Sequence, residues 1–222
     1  MDPQQPFTDA ERKAVYRVIA ERRDVRLGFV NVPLPQDLLG RLLAAAHSAP
    51  SVGFMQPSRF IVIRDGRIRK AAHRIFEAAN RRAAEGYNGE QAERYSRLKL
   101  EGIIEAPQNL CVLCDSGSER GHGLGRKTMP QTAIYSTVCA IQNLWLAARS
   151  EGVGVGWVSI LDPLKLCELL NIPDHLTLVA YLCLGYVEGF ASEPDLERFG
   201  WEKRADLKTV VSYDRYSEES AS

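Results

Sequence analysis

From residue 131 to residue 149 the chain carries Ile134, Val138, Ile141, Leu144, Trp145 and Ala148 at helical spacing, so the predicted helix is apolar almost all round. A helix with no polar face has to be covered on every side, by its own domain or by a second subunit. That requirement excludes a surface helix and puts the segment at the centre of whatever core the chain builds. After Gly189 the sequence runs on as a polar arm containing Trp201, Arg204 and Tyr213, with no evident core left for it to join. Two subunits sharing one core account for both features, so a homodimer is expected.

The elements around this helix follow from local signals. Thr8-Asp9-Ala10-Glu11 is a capping box and predicts a helix over about 8–22. Pro35 stands at a helix start, Leu38, Leu39, Leu42, Leu43 and Ala46 follow at helical spacing, and Pro50 marks the end. Phe60–Ile63 reads as a strand, Asp65-Gly66 as a turn, and Arg67 to about Gly102 as a basic helical stretch broken between Gly86 and Gly89. A strand at 109–115 and a glycine-rich loop at 116–130 lead into the apolar helix, which Gly152 stops. Val153–Ile160 and Leu178–Val187 read as strands around a short helix capped by Asp162-Pro163 and ended by Pro173. Interleaved helices and strands predict an α/β or α+β class with a central sheet. With no repeat and no linker, residues 1–222 read as one domain.

Composition excludes several classes of function. Lys plus Arg (28) balances Asp plus Glu (28), which gives no bulk attraction for nucleic acid or anionic membrane. No apolar run reaches the roughly 18 residues of a membrane span. The start lacks the basic and apolar regions of a signal peptide, so a cytoplasmic protein is expected. The five cysteines suggest free thiols. Cys111 and Cys114 lie on an apolar strand, where an odd separation sends them to opposite faces, and no second ligand pair completes a zinc site. No metal is expected.

Three segments carry candidate chemistry. Arg22-Arg23-Asp24-Val25-Arg26 places three guanidiniums within five residues at a helix end, fork-shaped donors suited to a phosphate. Taken alone the cluster reads more readily as a solvated basic helix terminus. Asp24 inside it is either a salt-bridge partner or a carboxylate held for proton chemistry. The loop from Ala49 to Phe60, with Pro50, Ser51, Gly53 and Pro57, is stiff and has free backbone amides, though an ordinary helix-to-strand connection looks the same. In Gly152–Ser159 alternating glycines would let a planar ligand approach the backbone. Neither these glycines nor Gly121, Gly123 and Gly125 have dinucleotide or phosphate-loop spacing, and no serine has a nucleophile-elbow context.

Together these motifs resemble the nitroreductase superfamily, over essentially the whole chain. Arg-Arg-Asp-Val-Arg, Pro-Ser-Val-Gly-Phe-Met-Gln-Pro-Ser and Gly-Val-Gly-Trp-Val-Ser are similar to one subfamily of it, the 5,6-dimethylbenzimidazole synthases. The resemblance implies an α+β fold with a central, mainly antiparallel sheet flanked by helices. It also implies an intertwined homodimer whose arm, about 190–222, reaches the partner subunit. Reduced FMN would be substrate rather than retained cofactor, O2 the co-substrate, and a separate NAD(P)H flavin reductase the supplier of reduced FMN. The products would be 5,6-dimethylbenzimidazole, the lower-ligand base of cobalamin, and D-erythrose 4-phosphate. Arg22, Arg26 and Arg204 would hold the phosphate, Pro50, Ser51 and the Val155–Ser159 edge the ring, with Arg23 and Val25 among the further FMN-binding residues. Asp24 would move protons and Ser159 would orient oxygen or a proton. Lys99 is a further candidate for closing the site, and apolar Phe54 and Met55 would cover the ring against a nicotinamide. The alternatives are an NAD(P)H-dependent FMN nitroreductase or flavin reductase, and a non-catalytic flavin carrier.

Overall fold

The computed structural model describes residues 5–217. Helix α1 (Asp9–Glu21) opens on the expected capping box: Thr8 Oγ1 accepts from the Glu11 amide at 3.3 Å, and the Glu11 carboxylate accepts from the Thr8 amide at 2.7 Å. Then come α2 (Gln36–His47), β1 (Ser58–Ile63), α3 (Gly66–Ala84), α4 (Gly89–Ser96), β2 (Gln108–Cys114) and α5 (Thr132–Ser150). β3 (Val153–Val158), α6 (Pro163–Leu169), β4 (Thr177–Tyr186) and the single turn α7 (Asp195–Arg198) complete the order. Two expectations are corrected. Asp65-Gly66 is not a free turn, because the Asp65 carboxylate accepts from the Arg67 amide at 2.7 Å and caps α3. The helical stretch to Gly102 stops at Ser96, and residues 97–107 form no helix.

The sheet runs β1-β2-β4-β3 with every pair antiparallel, so the class is α+β. Period-two alternation sends Leu110, Val112, Leu182 and Leu184 to one face, where α2 and α5 cover them through Leu38, Leu42, Ile141 and Leu144. Cys111, Leu113, Tyr181 and Cys183 go to the other face, against Phe76 of α3, Leu166 of α6 and Ile103. Cys114 instead packs with Met55 and Ala133, so the two cysteines of the pair do part. Burial pushes the Cys111 thiol up to about 12, which leaves it a protonated core group.

Helix α5 is covered on one side only. Ala133, Thr137, Ala140, Ile141, Leu144 and Ala148 are buried. Ile134 (37%), Tyr135 (55%) and Val138 (39%) are exposed. The arm divides in a similar way. Up to Trp201 it lies on its own chain, the indole meeting Tyr87 and Tyr95. Beyond, Leu207, Val210, Tyr213 and Tyr216 are exposed, and the last residues of the expected arm, 218–222, lie outside the described residues. Among the described residues no helix is long and apolar enough to cross a membrane.

The glycines of β3 have a different role from the one the sequence suggests. The segment Asp24–Val25 runs parallel to β3, the Val25 amide donating to the Val155 carbonyl at 3.0 Å. A Cβ at Gly156 would sit 2.1 Å from the Val25 carbonyl oxygen, and one at Gly154 would sit 2.6 Å from Val187 Cγ1. The space beside these glycines is filled by the chain itself, the Val25 backbone at Gly156 and the Val187 and Val25 side chains at Gly154, not by a planar ligand. Gly156→Ala should therefore lower unfolding stability by about 1–3 kcal/mol, the usual cost of overpacking. Gly117→Ala, in open space, should leave the urea midpoint where it is. Equal midpoints for the two variants would refute this account.

Candidate active site

The arginine cluster leaves α1 at its C-cap and is fixed from two sides. From β3, Trp157 donates its amide to Asp24 Oδ1 at 2.9 Å. From α5, the Trp145 indole N–H donates to the Arg23 carbonyl at 3.1 Å, and its ring lies under the Arg22 guanidinium, 4.9 Å from the centroid. One turn further along α5, Arg149 Nε donates to the Glu21 carbonyl at 3.2 Å, which satisfies a free carbonyl in the last turn of α1.

These constraints shape a cleft of about 540 Å³ lined by Arg22, Arg23, Asp24, Arg26, Asp195 and Arg204. Four guanidiniums against two carboxylates leave it net cationic. Their free donors point to an anion. The Arg22 backbone amide donates to the Val18 carbonyl at 3.0 Å, while its guanidinium has no hydrogen-bond partner among the described residues. The Nε atoms of Arg23 and Arg26 are buried without a partner. Burial, together with Arg23 and Arg204 nearby, lowers the Arg22 pKa against the pull of Asp24. A phosphate oxygen has the acceptor capacity these groups lack.

Asp24 has two unlike oxygens. Oδ1 holds the Trp157 amide, whereas Oδ2 is paired with Arg26 Nη2. Burial raises the carboxyl pKa above its usual value, with Asp195 adding to the rise, although Arg26, the Trp157 amide and Arg22 all pull it down. A carboxyl whose affinity for a proton is raised while it touches a cationic cleft is suited to take up and return a proton.

Residues 19–186 match the nitroreductase family. The chain belongs to that family. A 5,6-dimethylbenzimidazole synthase from Rhodospirillum rubrum is 48% identical over 198 residues, covering 89% of this chain and 93% of its own. One from Rhodobacter capsulatus is 43% identical over 197 residues, covering 89% and 95%. Among solved structures, oxidized iodotyrosine deiodinase bound to FMN and 3-iodo-L-tyrosine superposes with a TM-score of 0.73 at 23% identity, over 91% of this chain and 100% of that one. This structural likeness speaks for the nitroreductase fold alone.

Of the residues singled out in the sequence, Arg22, Arg23, Asp24, Arg26 and Arg204 meet in the cleft, while Val25 docks the segment on β3. Ser159 is exposed at the end of β3, two residues past Trp157. Pro50 and Ser51 lie outside the cleft, and the Ser51 hydroxyl accepts from the Gln56 amide at 3.1 Å. Lys99 is taken up by Glu101 and Glu105. The expected apolar cover is also altered: Met55 is 1% exposed in the core, which leaves Phe54, 73% exposed, standing out alone. The glycine-rich loop packs back on this segment, with Arg120 donating to Gln56 Oε1 at 3.0 Å. Asp195 and Trp145 escaped the sequence reading. Trp145 was visible only as one more apolar helix residue, and nothing near Asp195 pairs it with a cluster 171 positions away.

The raised Asp24 pKa fixes a sign. Below the ordinary value of 3.8 both folded and unfolded chains carry the proton. As pH rises above it the unfolded chain releases the proton first, so wild type loses stability until the folded carboxyl also ionises. Asn keeps the acceptor for the Trp157 amide and cannot ionise. Asp24→Asn should therefore gain on wild type in urea unfolding as pH climbs from 3.8 toward neutrality. A variant that falls behind with rising pH would mean that Arg26 outweighs burial.

Proposed function

We propose that the chain is a 5,6-dimethylbenzimidazole synthase, fragmenting reduced FMN with O2 to 5,6-dimethylbenzimidazole and D-erythrose 4-phosphate for the lower ligand of cobalamin. The observation that carries the reading is the cationic cleft with free guanidinium donors and, at its wall, a carboxyl whose proton affinity burial raises. The likeness to synthases at 43–48% identity over 89% of the chain supports the choice of reaction. The family's FMN-bound structural neighbour supports the choice of flavin.

Reduced FMN is the substrate: its ring system and its ribityl phosphate chain supply the carbons of the two products, and the molecule supplies electrons that O2 accepts. Arg22, Arg26 and Arg204 bind the phosphate, Arg22 with its face held flat by Trp145. Asp24 Oδ2 takes up and returns a proton near the ribityl chain, while Oδ1 stays on the Trp157 amide and keeps the carboxylate from turning. Ser159, two residues on, orients oxygen or a proton at the ring edge. A separate NAD(P)H flavin reductase would supply the substrate, and the protein would work in the cytoplasm.

The uncovered face of α5 and the exposed end of the arm support a homodimer with a flavin site at each side of the interface. The partner would bring further residues to each ring, Pro50 and Ser51 being candidates because they lie outside the cleft of their own chain. Light scattering should give twice the chain mass, and Val138→Asp on the open α5 face should shift it toward the monomer. A wild-type monomer that still binds FMN would remove this part of the proposal.

An NAD(P)H-dependent flavin reductase has one observation in its favour: with Met55 in the core, little of the apolar cover against a nicotinamide is left. One experiment separates the readings. Purified protein mixed with pre-reduced FMN in air should yield the benzimidazole by chromatography. Asp24→Asn should keep FMN binding and cut product by roughly two to four powers of ten, as for loss of a general acid–base. No product, together with fast saturable bleaching of bound FMN by NADPH, would replace the synthase reading with the reductase one.

A further inference from the structure

We infer that Trp201 is a positioning residue for Arg204: held by Tyr87 and Tyr95, it straps the first half of the C-terminal arm along the arginine cleft of its own chain and so sets the preference for a phosphate-bearing flavin. The inference rests on the reading of the cleft as a phosphate site.

The path of the arm carries the argument. Past β4 the chain returns to the arginine cluster, where Arg23 Nη2 donates to the Ser192 carbonyl. Asp195 and Leu196 then line the cleft. Helix α7 lasts one turn and is reversed at Gly200, φ 70°, a left-handed position that an L side chain would strain. The Gly200 amide donates to Glu197 O at 3.0 Å and the Trp201 amide to Leu196 O at 2.8 Å, which closes the reversal. Arg94 of α4 donates to the Gly200 carbonyl at 3.2 Å.

The reversal delivers Trp201 to an aromatic pair prepared by other elements. Tyr87 and Tyr95 stack with centroids 4.7 Å apart, and the Tyr95 hydroxyl donates to Asn80 Oδ1 on α3 at 2.6 Å. The indole meets Tyr87 edge-on at 5.3 Å and Tyr95 at 6.1 Å. Trp201 is partly buried, whereas residues 202–208 are all exposed, so its side chain is the last one packed on the fold before Arg204. Without an anion, the Arg22 and Arg204 charges repel across the cleft. An attachment independent of charge keeps Arg204 there in spite of that repulsion, and the aromatic clasp is such an attachment.

The test compares oxidised FMN with riboflavin, so that each variant carries its own control for folding. Wild type should prefer FMN, and Arg204→Ala should weaken FMN about 10–100-fold, the loss of one charge-assisted bond, with riboflavin unchanged. Trp201→Ala should lower the FMN-to-riboflavin preference about tenfold or more. Trp201→Phe should restore most of it, and the double variant with Arg204→Ala should be no worse than Arg204→Ala alone. Turnover assays should show a raised KM for reduced FMN with kcat near wild type. A wild-type preference that Arg22→Ala abolishes and Trp201→Ala leaves intact would overturn the inference alone. Equal binding of FMN and riboflavin by wild type would overturn the phosphate reading and the inference with it.

Discussion

The docking of Asp24–Val25 along β3 is the contact on which the rest of the site depends. It joins one main-chain bond, the Val25 amide on the Val155 carbonyl, to one side-chain bond, the Trp157 amide on the Asp24 carboxylate. Because the cluster is a short stretch outside the regular sheet, this docking, with the bonds from Trp145 and Arg149 of α5 on its other side, sets the direction of its charged side chains. Once the backbone is pinned, Arg22 turns to the Trp145 ring, Arg23 to the arm, and Arg26 to Asp24. The missing side chains at Gly154 and Gly156 are the condition for this, since any Cβ there would meet the docked segment or Val187.

Much of the frame was legible because it is written in local chemistry. The Thr8 box, the Asp162 cap and the four strands depend on neighbouring residues and on alternation, and these signals survive in the fold. The helical stretch after Arg67 was over-extended because Arg97 to Gly102 has helix-compatible residues, while the Glu101 carboxylate accepts from the Ile103 amide at 2.6 Å and ties the chain into a turn. The glycines of β3 were recognised as a place of close approach but assigned the wrong visitor. Sequence states that a Cβ is missing, and only the fold states what fills the space. Asp195 and Trp145 were missed because their roles come from contacts more than a hundred residues apart in sequence.

Helix α5 shows how one composition can serve two purposes. Its small and branched residues face the sheet and build the core, and its polar end binds the arginine segment through Trp145 and Arg149. The face with Ile134, Tyr135 and Val138 makes no such contact within the chain. The helix that pins the arginine cleft therefore also carries the exposed face proposed for the dimer, and a shift at that face would be felt one helix-width away at Arg22.

Asp24 gives the site an asymmetry that composition alone would hide. One oxygen answers to the fold, held by a backbone amide that cannot leave without lifting the segment off β3. The other answers to Arg26, a long side chain that any anion in the cleft can recruit. When that happens the carboxylate keeps its place and loses its counter-charge, so an occupied cleft holds a stronger base than an empty one.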